Sequence, residues 1–296
     1  MTEKNVLTEH FHLARGHLRA VAFRMLGSVD EADDALQEAW LRASTADVAG
    51  VGNVTGWLTT ILSRVCLDML RARARRGREG RALAELEAGA VTSPSPEDEQ
   101  LLCESAGLAM LVVLERLSAL ERVAFVLHDV LSVPFEEIAG IIERSPSASK
   151  KLASRARHRV RGADRASEAV RRHREVVEAY LAAARAGDVD RIVTVLAPDV
   201  VRRVDRAAQE GTAPLELRGA RAVAKETAGN AARATSARPI LVDGAVGALV
   251  APRGRLRFIL EMEVDDGRIV AIDVIGERAK LRGLELTLLE DAPRSA

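Results

Sequence analysis

The chain has 296 residues, of which 48% are hydrophobic and 29% are charged, and its formal net charge is zero. This length predicts two or three domains, and the composition allows ordinary buried cores. The two cysteines exclude a disulfide framework, and neither lies at a spacing typical of metal ligands. No apolar signal segment begins the chain, and no run approaches the roughly 18 apolar residues of a membrane span, so we expect a cytoplasmic protein.

The neutral total hides blocks of opposite charge. Residues 29–38 hold five acids and no base, whereas residues 64–81 hold seven bases and two acids. Residues 82–104 hold six acids and no base, and residues 144–161 hold seven bases and no acid. Any one block could be a solvated helix face, but the alternation is typical of a protein with several charged partners.

Apolar residues at helical spacing predict an all-α first part, in which proline is absent up to residue 76. A first helix ends near Gly27, and two more are predicted at residues 30–43 and 55–75. An acidic, proline-containing linker follows at residues 77–100. Helices then resume, and the predicted ranges are residues 101–116, 119–129, 134–143 and 146–162.

The third part, from residue 165, has a different character. A helix is predicted up to residue 186 and a short one at residues 189–196. Strands are predicted at residues 238–242, 245–251, 256–264 and 268–275. The sequence Asp265-Asp266-Gly267 between the last two strands is typical of a hairpin turn. The chain is therefore predicted to be a multi-domain protein, with two all-α domains followed by one α+β domain.

Residues 134–161 are the most informative stretch. One short helix ends at Arg144-Ser145, and Pro146 suits the first position of another. Leu152, Ala156 and Val160 of the second helix are spaced to face a core. Its other faces then carry Ser149, Lys150, Lys151, Ser154, Arg155, Arg157 and His158. This pattern indicates a DNA-binding helix-turn-helix, and the alternative is a solvated helix of a bundle.

An acidic helix face lies in the first part. Its members, with one close neighbour, are Asp33, Asp34, Gln37, Glu38 and Leu41. Leu36, Ala39, Trp40 and Ala43 are predicted to pack inward. Carboxylates at this spacing repel one another, which indicates a cationic partner. Acid–base chemistry, a hard metal ion and plain solvation are the alternatives.

A third group lies at and after the start of the helix predicted at residues 55–75. Its members are Asn53, Trp57, Arg64, Asp68 and Arg71, with more arginines beyond. Aromatic and basic residues on one helix suit unstacked single-stranded DNA. A buried core position is the alternative for Trp57, since large aromatics mainly supply buried area.

These segments resemble the extracytoplasmic-function sigma factors of the sigma-70 family. The resemblance to region 2 lies at residues 18–28, 32–42 and 56–68, and the resemblance to region 4 lies at residues 117–130, 135–139 and 153–160. It implies an alternative sigma factor that directs promoter-specific transcription initiation. It also implies region 2 at residues 1–76, a linker at residues 77–100 and region 4 at residues 101–162.

The resemblance further implies partners for individual residues. The polymerase β′ coiled coil is the implied partner of Asp33, Asp34, Gln37, Glu38, Trp40 and Leu41, and region 4 is expected on the β flap. The minus-thirty-five element is implied for Ser149, Lys150, Lys151, Ser154, Arg155, Arg157 and Arg159, with the last two on phosphates. The melted minus-ten element is implied for Asn53, Arg64, Asp68 and Arg71. No catalytic residue, cofactor or metal is expected.

Residues 165–290 resemble the SnoaL-like extension of one subgroup, in which a curved sheet and helices close a cone-shaped pocket. This implies regulation in cis, with room for a small-molecule ligand. SnoaL-like folds also serve as cyclases and isomerases, which makes an enzyme the rival interpretation. Its acid or base would be Asp199, Asp205 or His173. The glycines that usually follow the aspartate in this subgroup are absent after Asp205.

Overall fold

The structure is a computed structural model, and it describes residues 3–46, 50–79, 107–161, 168–209, 211 and 213–289. The chain divides into two compact units. The first joins Met1–Ser105 to Leu114–Arg157, and the second joins Ala106–Val113 to His158–Ala296. Within the described ranges, no helix combines the length and the apolar character that a membrane span requires.

The first unit begins with the helices α1 (Glu3–Leu26), α2 (Val29–Thr45) and α3 (Val54–Glu79). Gly27, with a left-handed φ of 77°, follows α1, and Ser28 caps α2 by accepting the Glu31 N–H. The helices predicted at residues 30–43 and 55–75 are confirmed, and both extend further at each end.

The helix-turn-helix is also confirmed. It consists of α6 (Phe135–Ile142) and α7 (Pro146–Arg161). The elements before it are α4 (Gly107–Glu115), α5 (Ala119–Phe125) and a π-helical turn (Val126–Val130). Glu143 ends α6 with a left-handed φ of 56°, and Ser145 caps α7 by accepting the Ala148 N–H. The helix predicted at residues 119–129 is an α-helix that continues as the π turn.

The inner face of α7 differs from the prediction at two residues, Ala153 and Ser149, which are both buried. Leu152, Ala156 and Val160 are buried as predicted. Ser149 is completely buried as well, and its hydroxyl donates to the Ser145 carbonyl oxygen at 3.0 Å. The prediction that Ser149 belongs to the DNA-facing surface is therefore wrong. Ser149 lies three and seven positions before Leu152 and Ala156, which places it on the same helical stripe.

The second unit contains a seven-stranded sheet in the order β2-β1-β6-β5-β4-β3-β7. Its strands are β1 (Leu196–Val204), β2 (Glu216–Arg218), β3 (Ala237–Val242), β4 (Ala245–Val250), β5 (Phe258–Asp265), β6 (Arg268–Ile275) and β7 (Leu286–Thr287). Its helices are α8 (Glu168–Ala186), α9 (Val189–Val195), α10 (Ala220–Gly229), α11 (Ala231–Ala234) and α12 (Arg278–Gly283), with a 3-10 turn at Pro252–Gly254. β1 pairs with β6 in parallel.

One face of this sheet packs against helices. Val177, Tyr180 and Leu181 of α8 share a buried cluster with Ile269 and Ile272 of β6. The hairpin predicted at Asp265-Asp266-Gly267 is confirmed: Asp265 pairs with Arg268, and φ is 44° at Asp266 and 73° at Gly267. Two positive φ values in a two-residue loop are typical of a type I′ turn. The four predicted strands and the α+β class are confirmed.

The strand β1 escaped prediction. The helix predicted up to residue 196 ends at Val195, and Leu196 already belongs to β1. Pro198 and two arginines interrupt the apolar pattern that marks a strand. The register with β6 is also irregular between Leu196 and Val201. Because β1 pairs in parallel with a strand some 70 residues later, local sequence carries little of its signal.

Candidate functional site

α2 separates a buried stripe from an acidic face. The stripe consists of Ala32, Ala35, Leu36, Ala39 and Ala43. On the other side Asp34, Gln37 and Glu38 are exposed, and Leu41 keeps 54% of its surface exposed. Glu38 also pairs with Arg42 at 2.8 Å, one turn later. The face therefore presents two carboxylates, an amide and a leucine to solvent.

A groove runs between α1 and α2. Its volume is about 450 Å³, and its walls include Arg15 of α1 and Asp34 of α2. The half-buried Trp40 lies in it, with its ring centroid 4.8 Å from that of Phe11. Asp33 lines it too and accepts two hydrogen bonds from Arg19, at 2.7 and 2.8 Å. The α1 wall was missed from the sequence, although Phe11 and Arg15 have the helical spacing i, i+4 that could have indicated it.

The outer face of α7 is basic. Lys150, Lys151, Ser154 and Arg159 are exposed. Arg155 is exposed too, but its Nε lies 3.4 Å from the Glu121 carboxylate of α5. The described part of α7 carries no acidic side chain, so the face is suited to phosphates and base edges.

Arg157 forms a short ion pair with an acid of another element. Its Nε donates to the Asp129 carboxylate of the π turn at 2.6 Å. That hydrogen bond raises the pKa of Arg157. Arg157 is only half-exposed, and Asp129 competes with the predicted DNA phosphate for its guanidinium group.

The α3 residues of the third group do not form one free surface. Asn53 accepts the Gly56 N–H at 2.9 Å and so caps the start of α3. Arg64 is exposed and donates to the Gly140 carbonyl oxygen of α6 at 3.1 Å, while Asp68 lies 3.5 Å from Arg42. Arg71 is half-buried. Trp57, for which a core position was the alternative, is also half-buried.

Two guanidinium groups close the carboxyl end of α1. Arg122 of α5 is buried and donates to the Met25 carbonyl oxygen at 3.0 Å. Arg73 of α3 donates to the Leu26 carbonyl oxygen at 3.3 Å. These carbonyls lack partners within the helix, and cations are favoured at this end of a helix dipole. Burial lowers the pKa of Arg122 to about 10. Arg122 was not identified as a functional residue from the sequence, because its partner lies 97 positions earlier.

In the second unit, Asp205 fastens the loop after β1 to the segment after β6. Its carboxylate accepts the N–H groups of Ala208, Gly276 and Glu277 at 2.7, 2.9 and 2.8 Å. Burial acts to raise the pKa of Asp205, but these hydrogen bonds outweigh it and lower the pKa. A Cβ atom at Gly276 would lie 2.8 Å from the Ala208 nitrogen, so the close approach requires glycine.

A cavity of about 110 Å³ lies between α8, α10 and the sheet, with Tyr180, Arg202 and Glu226 among its lining residues. None of the acids or bases considered for an enzyme lines it. Asp199 is exposed on β1, and His173 is half-buried on α8. The lining residues come from separate segments of the chain, which is why the sequence did not single them out.

Comparison with known proteins identifies the family of this chain. Two family models match the chain, Sigma-70 region 2 over residues 11–76 and Sigma-70, region 4, over residues 108–160. The ECF RNA polymerase sigma factor SigJ of Mycobacterium tuberculosis is 36% identical over 292 residues, which cover 93% of this chain and 93% of SigJ. This chain belongs to the ECF RNA polymerase sigma factor family.

Further relatives are of the same kind. The probable ECF RNA polymerase sigma factor SigI of M. tuberculosis is 31% identical over 97% of this chain and 99% of its own length. The crystal structure of SigJ covers 93% of this chain and 98% of its own, at 32% identity and a TM-score of 0.45.

Membership in this family establishes the function of the chain. It is an alternative sigma factor that directs promoter-specific transcription initiation. The acidic helix α2 lies within region 2, and the helix-turn-helix lies within the region 4 match except for the last residue of α7. The predicted architecture, two all-α domains followed by an α+β domain, is confirmed.

Proposed function

We propose that α2 binds core RNA polymerase and that its partner is the basic coiled coil of the β′ subunit. The supporting observation is the exposed face of Asp34, Gln37, Glu38 and Leu41 on a helix whose other side is packed. A basic partner surface converts the repulsion between these carboxylates into attraction. Leu41 adds apolar area to the contact, while Asp33 and Trp40 shape the groove beside it.

We propose that α7 binds the minus-thirty-five element and that the region around it contacts the β flap. Lys150, Lys151, Ser154 and Arg155 reach base edges in the major groove, and Arg157 and Arg159 bind phosphates. The exposure of Lys150, Lys151, Ser154, Arg155 and Arg159 supports contact of this face with DNA. The α3 group, Asn53, Arg64, Asp68 and Arg71, contacts the melted minus-ten element, where Asp68 would accept from an exocyclic amine.

We place the functional domains at residues 1–76, 101–162 and 165–290, with the linker at residues 77–100, and the protein in the cytoplasm with RNA polymerase. The compact units divide the chain differently. Ala106–Val113 and the end of α7 share a unit with the α+β domain. Part of region 4 is thus folded together with the regulatory domain, which supports regulation in cis.

We infer that the α+β domain sets activity through its hold on α7, and that a small molecule bound in it shifts that activity. The Leu288 N–H donates to the carbonyl oxygen of Val160, in the last turn of α7, at 2.8 Å. The segment after β7 is therefore bonded directly to the helix that reads DNA. A tethered domain acts at high effective concentration, so weak contacts of this kind are sufficient.

Site-specific photocrosslinking tests the partner assignments one by one. p-Benzoylphenylalanine replaces Gln37, Ser154 or Leu215 in separate full-length variants, each assembled with core polymerase and promoter DNA. We expect Gln37 to crosslink to β′ and Ser154 to the minus-thirty-five DNA. Leu215, 38% exposed in the α+β domain, is the control that should give neither product. A Gln37 crosslink to DNA, or a Ser154 crosslink to β′, would contradict the assignments.

The regulatory role is tested by disturbing the Asp205 fastening in the full chain. Gly276→Ala introduces a Cβ against Ala208, whereas a Cβ at Gly283 of α12 meets nothing within 4 Å. Gly283→Ala is therefore the matched control. We expect Gly276→Ala alone to change transcription several-fold at saturating core polymerase. Equal transcription from a folded Gly276→Ala variant would show that the α+β domain does not act through this segment.

A further inference from the structure

The cavity of the α+β domain has the size of a small ligand. Its volume is about 110 Å³, and its walls are mainly apolar, with Leu181, Val250, Phe258 and Val274 among them. An apolar cavity of about 150 Å³ engineered in another protein binds benzene. The volume of this cavity is somewhat smaller, so it suits a molecule no larger than about one six-membered ring.

One wall of the cavity is polar. The Tyr180 hydroxyl lies 3.0 Å from the Thr227 hydroxyl, and the Asn230 amide donates to Glu226 Oε1 at 3.2 Å. The other carboxylate oxygen, Glu226 Oε2, is buried and lies 2.8 Å from Arg202 Nη1. The contact is an ion pair without the alignment of a hydrogen bond, and Oε2 has no hydrogen-bond partner among the described residues. A carboxylate oxygen accepts more than one hydrogen bond, so Oε1 can accept a donor from a ligand in addition to the Asn230 amide.

The two least exposed charges that line the cavity form a pair. Arg202 and Glu226 pair with each other, and their side chains are only 14% and 22% exposed. An ionic ligand would lose its hydration on entering the cavity. The Arg202–Glu226 pair would not supply an opposite charge in return, so entry is unfavourable. Arg233 also lines the cavity, but it is exposed, so water screens its charge. The site therefore favours an uncharged molecule.

We propose that this cavity binds a small uncharged aromatic compound that carries a hydrogen-bond donor, of the size and polarity of a phenol. The ring occupies the apolar part of the cavity beside Phe258, and the Glu226 carboxylate accepts the hydrogen bond from the ligand. The inference rests on the α+β domain being regulatory, because it names the class of molecule that such a domain senses. Binding itself can be measured without transcription.

Fluorine NMR provides the test on the full-length protein. 4-Fluorophenol is titrated beside 4-fluorobenzoate, which is charged, and fluorobenzene, which lacks a donor. We expect 4-fluorophenol to bind with a Kd of about 1 mM or tighter, since it has few atoms with which to gain affinity. The other two should bind about ten-fold more weakly. Stronger binding of the benzoate, equal binding of fluorobenzene, or no binding of any probe would overturn the proposal.

Variants connect binding to the polar wall. Glu226→Gln keeps the size of the side chain but removes its charge, and we expect about a ten-fold weaker Kd for 4-fluorophenol. Ala184→Leu fills the cavity and should abolish binding, with thermal unfolding used to confirm that each variant folds. Glu178→Gln, on the exposed side of α8, is the matched control and should bind like the parent. An unchanged Kd in Glu226→Gln would overturn the proposal.

A separate transcription assay with 4-fluorophenol distinguishes the two levels of the account. If the compound binds and transcription responds, both the site and the regulatory role are supported. If it binds with the expected selectivity and transcription is unchanged, the site stands and the regulatory role fails. If it does not bind while Gly276→Ala alters transcription, the regulatory role stands and the ligand class is wrong.

Discussion

The acidic face of α2 and the basic face of α7 are both exposed helical surfaces. They differ in how far their charged side chains pair with other elements of the protein. On α2, Glu38 pairs within its own helix, and Asp34 and Gln37 are exposed. On α7, two arginines lie against acids of other elements, at 3.4 Å for Arg155 and 2.6 Å for Arg157. Under the proposed assignments, the polymerase surface is preformed, whereas protein carboxylates compete with DNA for two arginines of the promoter surface.

The α3 residues proposed to contact the minus-ten element are also engaged by the protein itself, through a contact between α3 and α6. Arg64 donates to the Gly140 carbonyl oxygen at 3.1 Å inside the first compact unit. The two promoter elements are about 25 base pairs apart, roughly 85 Å at about 3.4 Å per step. With α3 at the minus-ten element and α7 at the minus-thirty-five element, as proposed, regions 2 and 4 could not keep this contact. We therefore expect polymerase binding to come first and promoter binding to require separation of the two regions.

The largest expected effect tests the preformed surface. Asp34→Lys combined with Glu38→Lys should weaken core binding about 100-fold or more, because like charges would then face the basic partner. Helicity should be unchanged, since both side chains are exposed. Asp190→Lys with Glu263→Lys makes the same charge change on exposed acids of the α+β domain and serves as the control. Undiminished binding in a pull-down with core polymerase would remove α2 from the interface.

The next effect concerns base reading by α7. Lys151→Ala or Arg155→Ala should relax promoter preference at one position by about 1–3 kcal/mol, whereas Arg159→Ala should weaken all sequences alike. Binding of the holoenzyme to a set of single-base promoter variants measures both. If Lys151→Ala and Arg155→Ala leave the preference unchanged, α7 is not the recognition helix.

A smaller effect is expected from releasing Arg157. Asp129→Asn removes the charge that holds the guanidinium, so Arg157 becomes available to a phosphate. The affinity of the free protein for duplex DNA should rise several-fold, and the slope of log affinity against log salt should steepen by about one. Asp190→Asn is the control. An unchanged slope in a folded Asp129→Asn variant would assign the pair a structural role alone.

The smallest effect separates two serines of α7. Ser149→Ala should leave promoter binding unchanged, because Ser149 is buried and its hydroxyl bonds only within the helix among the contacts described. Its loss should lower the free energy of unfolding by about 1 kcal/mol at most. Ser154→Ala, on the exposed face, should weaken the minus-thirty-five contact. A loss of binding in Ser149→Ala at unchanged stability would restore it to the DNA surface.

Much of the fold could be predicted from local sequence patterns. Helical spacing placed α2 and α3, Pro146 marked the start of α7, and Asp266-Gly267 marked its hairpin, because each signal lies within a few residues. Contacts between distant residues left no such trace. The parallel strand β1, the partner of Arg122 and the cavity around Glu226 all depend on the tertiary fold.

The candidate surfaces divide in the same way. The exposed faces of α2 and α7 followed from periodicity, since a helix with one apolar stripe exposes the rest. Ser149 was misplaced because a small polar residue can lie on a buried stripe when its hydroxyl bonds to the backbone. The pairing of Arg157 with Asp129 was equally invisible, since the two lie 28 positions apart on different elements.

Run-off transcription with purified core polymerase and genomic DNA tests the central claim, that α2 brings this chain to polymerase and α7 chooses the promoter. The account predicts discrete transcripts that core alone does not make. These should be absent with Asp34→Lys and Glu38→Lys, and should change in start-site selection with Lys151→Ala or Arg155→Ala at unchanged core binding. Wild-type transcripts from the lysine variant, or no promoter-specific transcript from a core-bound parent protein, would contradict it.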